Sequence, residues 1–234
     1  MSSNNDFKIS EKYIIKFFDN ELHAENLLNK GEMLFNTLSH FAELEQVGRG
    51  DKTERVFNSS GTLYFKMPEE TRYQKLLDYD SIMRDIKRPV YCYTRLTKNN
   101  FLYSGAIGLD SEMLNQFGLS NNSLYCVVLE KRAFENKVIE FLSNYGIGYD
   151  IANIRYTNEE IDHEMVMKAL SGQSNLAYFH KPLEFRGQQE RRIMLAENID
   201  DLIKRGIMEK FNDGGKIYIG ELSSLGIICK VVKY

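Results

Sequence analysis

The sequence has few features of a secreted, membrane-bound or metal-binding protein. It has no tryptophan, and its three cysteines, Cys92, Cys126 and Cys229, are widely spaced in apolar, strand-like runs. This distribution predicts buried thiols in a reducing compartment, not disulfides or a zinc site. No apolar stretch approaches the roughly 18 residues of a membrane-spanning helix. The opening MSSNNDFKIS lacks the basic and apolar segments of a signal peptide, so we expect a soluble, cytoplasmic protein with no membrane contact.

Several common catalytic signatures are also missing. The sequence contains no glycine-rich phosphate-binding motif, no HExxH, no CxxC and no GxSxG. Its four histidines do not have the spacing of metal ligands, so we expect no metal site. The formal net charge of −3 excludes a global positive field that would recruit nucleic acid, although local basic patches stay open.

Strand patterns and amphipathic helices follow one another without regular alternation. Apolar runs predict strands at residues 12–18, 61–67, 88–96, 123–131, 151–157, 191–197 and 216–223. Helical spacing predicts helices at residues 20–31, 69–87, 133–146, 159–173 and 200–211. Without repeated βαβ order, the pattern favours an α+β fold. We expect a disordered start at residues 1–10 and one domain over residues 11–234, with a mixed, mostly antiparallel sheet and peripheral helices.

A glycine-flanked arginine marks the first candidate binding segment. Glycines bracket Arg49, and Asp51 follows the second of them. Such a loop can hold the arginine as a two-pronged donor for a phosphate or carboxylate. The alternative is a surface turn in which Asp51 caps the next segment. Upstream, the apolar stretch 32–45 carries Thr37 and Ser39, which either line a cleft or mark its exposed face.

The second candidate is the polar segment Gln188, Gln189 and Glu190, directly before the apolar run RRIML. Strand alternation predicts that Gln188 and Glu190 point to one face. A fixed carboxylate there would stabilise the oxocarbenium-like transition state of cleavage at a sugar's anomeric carbon, and the amide would orient the nucleophile. The alternative is a polar strand end, with Glu190 ion-paired to Arg191 or Arg192.

The stretch GQQERRIML resembles the Q/E-x-E element of ADP-ribosyltransferases. In that family the second acid is the catalytic glutamate, and a strand follows it. The resemblance therefore implies that Glu190 and Gln188 are the catalytic pair and that NAD is the substrate. It leaves the acceptor of ADP-ribose, protein or nucleic acid, undefined.

The family's other parts match less closely. The cation on the family's first strand, an arginine or histidine, falls on Lys16 in YIIKFF. The Ser/Thr-bearing segment that shapes the NAD pocket falls on Thr37 and Ser39 or on Thr94, without the family's S-T-S pattern. With the glycine-flanked loop included, the predicted cofactor-binding residues are Lys16, Thr37, Ser39, Arg49, Asp51 and Thr94.

The order of segments along the chain resembles small bacterial and phage proteins of the DUF2971 and abortive-infection type. That similarity implies a role in phage–host conflict, with a phage protein or an antitoxin as partner. The leading hypothesis is thus an NAD-dependent ADP-ribosyltransferase or NAD glycohydrolase acting as a phage-defence or toxin effector. One alternative is a non-enzymatic module that binds a nucleotide or a partner protein through Arg49. The other is a Mg²⁺-dependent nuclease using Arg49, Asp51, Glu54, Glu190 and Arg192.

Overall fold

The computed structural model describes two sets of residues. Backbone and side chains are described for residues 12–37, 40, 88–96, 106–109, 113, 125–157, 178–181 and 183–231, and the backbone alone for residues 62–66, 73–78, 101–103, 176–177 and 232–233. The strands are β1 Tyr13–Phe18, β2 Glu32–Phe35, β3 Thr62–Lys66, β4 Tyr73–Asp78, β5 Val90–Arg95, β6 Phe101–Tyr103, β7 Ala106–Leu109, β8 Tyr125–Glu130, β9 Tyr149–Asn153, β10 Arg155–Tyr156, β11 His180–Lys181, β12 Glu190–Leu195, β13 Glu209–Phe211, β14 Gly214–Tyr218 and β15 Gly226–Lys233. The helices are α1 Glu21–Lys30, α2 Lys131–Asn144 and α3 Ile199–Lys204, with 3-10 helices at Leu176–Phe179 and Leu183–Gln188.

The largest sheet has eight strands in the order β6-β7-β15-β8-β1-β5-β12-β9. Its neighbouring strands are antiparallel except for β7 and β15, which run parallel. Strands β13, β14 and β2 form a three-stranded antiparallel sheet, β3 pairs antiparallel with β4, and β10 pairs parallel with β11. The predicted class, α+β with a mixed and mostly antiparallel sheet and peripheral helices, is confirmed.

Helix α1 shows how local sequence sets the element boundaries. The side chain of Asn20 accepts a hydrogen bond from the backbone N–H of Leu22, as an N-cap does. Gly31 ends the helix in a left-handed conformation with φ of 63°. A Cβ at Gly31 would lie 2.3 Å from the carbonyl oxygen of Gly220, so only glycine fits there. The predicted helix, opened by Asn20 and closed by Gly31, is confirmed.

Both faces of the eight-stranded sheet are covered by apolar side chains. Strand β1 contributes Ile14 to a large core shared with α1, α2 and α3, and Ile15 to a smaller core on the opposite face. Successive residues of a strand point to opposite faces, which explains the division. Charged side chains on the central strands are therefore largely removed from water, and their electrostatic interactions are strong.

Two predictions of secondary structure need correction. The charged segment 69–87 is predicted as a helix, but β4 lies within its first half and pairs with β3, because strand pairing outweighs helical spacing. The helix predicted at residues 200–211 ends at Lys204, and β13 follows. The strand-like run predicted around Cys229 is confirmed, since that residue lies in β15.

Some predictions fall outside the described residues. These are the disordered start at residues 1–10 and the helix at residues 159–173, and both stay predictions. In the part of the chain that the structure describes, no helix has both the length and the apolar character needed to cross a membrane.

Candidate functional site

Strands β1, β5 and β12 lie side by side and carry three of the predicted site residues. The register pairs Ile15 with Thr94, and Thr94 with Glu190. Directly opposed residues of antiparallel strands share a face, so Thr94 and Glu190 point the same way, and both are buried. Lys16 is the next residue of β1, so its side chain leaves the strand on the opposite face of the sheet. The sheet therefore brings the first-strand cation, a threonine and the candidate carboxylate into adjacent strands.

The register between β1 and β5 ends at Ile15, whereas β1 stays paired with β8 as far as Phe18. Lys16 is the first residue of β1 beyond that register, and its Nζ donates a hydrogen bond to the carbonyl oxygen of Cys92 at 2.8 Å. The same ammonium group lies 4.7 Å from the ring centroid of Tyr91. The side chain of Lys16 therefore links β1 to β5 beyond their last register pair.

Glu190 is held by two buried cations. Arg192 Nε lies 2.6 Å from Glu190 Oε1, and Lys181 Nζ lies 2.8 Å from Glu190 Oε2. Arg192 has no exposed surface and also donates to the carbonyl oxygen of Tyr178 at 3.0 Å. The backbone N–H of Glu190 donates to the hydroxyl of Tyr156 at 2.8 Å. Both carboxylate oxygens and the backbone of Glu190 are therefore fixed in position.

This environment keeps Glu190 ionised. Burial by itself would raise the pKa of the Glu190 carboxyl, but the charges of Arg192 and Lys181 and hydrogen bonds from Arg192 and Cys92 outweigh burial and hold that pKa well below its ordinary value. Burial lowers the pKa of Lys16, an effect that Cys92 and Glu190 oppose in part. An anionic carboxylate at neutral pH is the state that stabilisation of a cationic transition state requires.

The expected strand alternation of Gln188 and Glu190 is wrong. Strand β12 begins at Glu190, whereas Gln188 ends a 3-10 helix, and Gln189 between them has a positive φ of 48°. The N–H of Gln189 donates to the carbonyl oxygen of Arg186, which extends the helical turn. The two side chains meet through Lys181, whose Nζ also donates to Gln188 Oε1 at 2.8 Å. Lys181 therefore links both candidate catalytic residues.

Cys92 has a different environment from the apolar one predicted. Its side chain donates a hydrogen bond to the Glu190 carboxylate, and its position on β5 lies opposite Arg192. The thiol is half-buried, whereas Cys126 and Cys229 are buried as expected. Cys92 is thus part of the same polar cluster as Glu190.

A second polar cluster lies on the other face of the same strands. Arg191 forms a two-pronged ion pair with Glu135, at 2.7 Å and 3.1 Å, and donates to Asn153. The hydroxyl of Tyr93 donates to the same carboxylate at 2.7 Å. The alternative interpretation of the sequence, an ion pair between Glu190 and a following arginine, is therefore confirmed for Arg192, while Arg191 pairs elsewhere.

Thr37, the other predicted binding residue that the structure describes, is not brought to this cluster. The hydroxyl of Thr37 accepts from the N–H of His40, and its neighbour Asn36 bridges to Val90. Since Val90 and Thr94 lie at opposite ends of β5, about 13 Å separates the two regions at roughly 3.3 Å per residue. The remaining members of the predicted set lie outside the described residues: Ser39, Arg49 and Asp51.

Among the residues that the structure describes, no three or more histidine, cysteine or carboxylate side chains are grouped so that they could hold a metal ion. Asp51 and Glu54 of the nuclease hypothesis lie outside those residues.

Lys181, the residue that joins Gln188 to Glu190, was not predicted from the sequence. The 3-10 helix Leu183–Gln188 separates it from β12, and no local pattern indicates that the chain folds back in this way.

We expect acid to weaken the fold through Glu190. Its pKa is lower in the folded chain than in the unfolded chain, so its stabilising effect is complete above the ordinary glutamate pKa of about 4.3. The effect is lost as pH falls below that value, because the unfolded chain binds a proton first. Urea unfolding of the wild type and of Glu190→Gln between pH 7 and pH 3 checks this. The difference in stability between the two should shrink toward pH 3, and a constant difference would contradict the expectation.

The chain was compared with protein-family models, curated proteins and solved structures, and no match was found in any of the three comparisons.

Proposed function

We propose that the protein binds NAD and cleaves its nicotinamide–ribose bond, transferring ADP-ribose to water or to an acceptor, with Glu190 as the catalytic carboxylate. The observation that carries the proposal is the pairing of Thr94 with Glu190 on adjacent strands, with Lys16 on the next strand close enough to Glu190 for their charges to interact. The three parts that the resemblance to ADP-ribosyltransferases implies are far apart in sequence. Their placement on three neighbouring strands supports a common site.

The charges around Glu190 also support an anionic ligand such as NAD. Three cations interact with this carboxylate, namely Lys16, Lys181 and Arg192. This local group is positive, whereas the chain as a whole carries a net charge of −3. A ligand that carries a pyrophosphate would be attracted to such a region.

Glu190 would act by charge. As nicotinamide leaves, positive charge develops on the ribose, and a fixed anion stabilises that charge more than it stabilises bound NAD. Gln188 would orient the attacking water or acceptor, because Lys181 holds it beside the carboxylate. Catalysis by this route requires that the ribose replaces Lys181 at Glu190 Oε2. Consumption of NAD would in turn make the protein a toxin or phage-defence effector.

A second candidate function is binding of a nucleotide without cleavage. The observation that favours it is the pairing of both Glu190 oxygens with buried cations, which neutralises the charge that catalysis needs. In this case Glu190 organises the cationic strands for ligand binding and has no chemical role.

The test uses NAD and NADH with the purified chain. Binding is measured by calorimetry, and nicotinamide release is measured by chromatography. NADH has the same phosphates and riboses, but its uncharged dihydronicotinamide is a poor leaving group, so it reports binding alone. We expect both to bind and only NAD to be cleaved.

Each other outcome decides between the candidates. Binding of both dinucleotides without nicotinamide release would overturn the catalytic proposal and support the binding module. If neither dinucleotide binds, both the cleavage of NAD and its binding without cleavage are excluded.

A further inference from the structure

Cys126 and Cys229 face each other on adjacent strands. They form a register pair between β8 and β15, which are antiparallel. Directly opposed residues in such a pair have Cα atoms about 4.5 or 5.5 Å apart, depending on the hydrogen-bonding pattern. Both spacings lie within the roughly 4.4–6.8 Å that a disulfide spans. The backbone therefore places the two cysteines within bonding range without a change of register.

The two thiols are close enough to influence each other's ionisation. Interaction with Cys229 raises the pKa of Cys126, with burial adding to the effect. The same interaction lowers the pKa of Cys229, although burial acts in the opposite direction. Cys229 is thus the sulfur that more readily becomes a thiolate, the form that reacts with oxidants.

The surroundings select the reaction partner. Both side chains are buried in the smaller core of the sheet, beside Val128 and Met113. Bulky thiol reagents are excluded from such a closely packed site, so the reaction partner must be a small oxidant. Cys92 lies on β5, and β1 separates that strand from β8. Cys126 and Cys229 therefore have each other as the nearest thiol among the described residues.

We propose that Cys126 and Cys229 form an oxidative modification site, at which hydrogen peroxide joins β8 to β15 through a disulfide. The Cys229 thiolate attacks one peroxide oxygen, the O–O bond breaks, and hydroxide leaves, which gives a sulfenic acid. Cys126 then attacks the Cys229 sulfur, the S–O bond breaks, and the proton lost by Cys126 leaves with the oxygen as water. In total, two thiols and one peroxide give one disulfide and two waters, and both electrons pass from sulfur to oxygen.

The geometry makes this disulfide reversible. Opposed Cβ atoms in antiparallel strands are about 4.5–5.5 Å apart, whereas a relaxed disulfide has a mean Cβ separation of about 3.8 Å. The strands must approach each other to close the bond, and strained disulfides are reduced more readily. The pair is therefore expected to form a strained disulfide, which a reductant cleaves more readily than a relaxed one. This inference is independent of the proposed function.

Peptide mapping tests the proposal directly. The reduced, full-length chain is treated with a series of peroxide concentrations and unfolded, and its remaining thiols are then alkylated with iodoacetamide. Trypsin releases the three cysteines in separate peptides, residues 88–95, 99–131 and 217–230. We expect a joined peptide, 99–131 with 217–230, lacking two hydrogens, which dithiothreitol separates again. Cys92→Ala should give the same joined peptide, and Cys229→Ser should give none.

Two results would overturn the proposal. One is complete alkylation of Cys126 and Cys229 at peroxide concentrations that already oxidise Cys92. The other is conversion of either buried cysteine to a sulfinic acid without the joined peptide. The wild-type map decides between these outcomes even when Cys229→Ser does not fold.

Discussion

Glu190→Gln should lower nicotinamide release from NAD by about 10²–10³-fold, while the affinity for NADH stays within a few-fold. The amide has the size of the carboxylate but lacks the charge that stabilises the ribose cation. That charge acts only as the glycosidic bond breaks, so the variant should have a lower kcat. In bacterial cells, induced wild type should deplete NAD and arrest growth, and the variant should not. Chromatography of nicotinamide and a growth curve measure the two effects.

The structure also requires a stability control for this variant. Removing the charge of Glu190 leaves Lys181 and Arg192 buried without their anion, which destabilises the fold independently of catalysis. Nicotinamide release should therefore be measured well below the melting temperature of the variant. The matched control is Glu32→Gln, which breaks a half-buried ion pair with Lys216 of 2.7 Å in the three-stranded sheet. Equal nicotinamide release by Glu190→Gln and Glu32→Gln would refute the catalytic role.

Arg192→Met should lower the free energy of unfolding by about 3–5 kcal/mol, the usual cost of leaving a partner of a buried ion pair uncompensated. Arg192 is fully buried, and its loss removes donors from both Glu190 and the Tyr178 carbonyl. The adjacent Arg191→Met is the matched comparison, since its ion pair with Glu135 is partly hydrated. We expect that change to cost only about 1–2 kcal/mol. Urea unfolding with linear extrapolation measures both values.

A triple variant separates charge from packing. Replacing Lys181, Glu190 and Arg192 together by Met, Leu and Met removes all three charges and keeps much of the volume. Apolar replacement of a complete buried ion cluster is often neutral or stabilising. We therefore expect the triple variant to recover most of the stability that Arg192→Met loses. A triple variant less stable than the single one would show that the cluster stabilises the fold as a unit.

Some elements could be predicted because a few adjacent residues determine them. Helix α1 has a capping asparagine and a terminal glycine, and β8 is a continuous apolar run, so both were predicted from a few adjacent residues. Strand β4 was mistaken for a helix because its strand state depends on pairing with β3, which a single-sequence pattern does not contain.

The candidate site was likewise predicted only in part. Glu190 stood out because a polar segment precedes an apolar run, and that signal is local. Its partners depend on the irregular chain before β12, where a 3-10 helix and a positive φ at Gln189 turn Gln188 toward Lys181. No periodic pattern describes that path. The contact between Cys92 and Glu190 likewise arises from sheet order, which joins β5 to β12 across about a hundred residues.

Strand β15 determines when the sheet can be completed during synthesis. It lies between β7 and β8, so β6 and β7 join the other strands of the described sheet through it. Ile107 pairs with Val231, about 120 residues later. At roughly 5–20 residues per second, a ribosome needs about 6–24 s to make that length. Throughout that interval the edges of β7 and β8 stay unpaired, and unpaired edges invite association with other chains. Slower translation before residue 226 lengthens the time for which these edges are open to other chains, and faster translation shortens it.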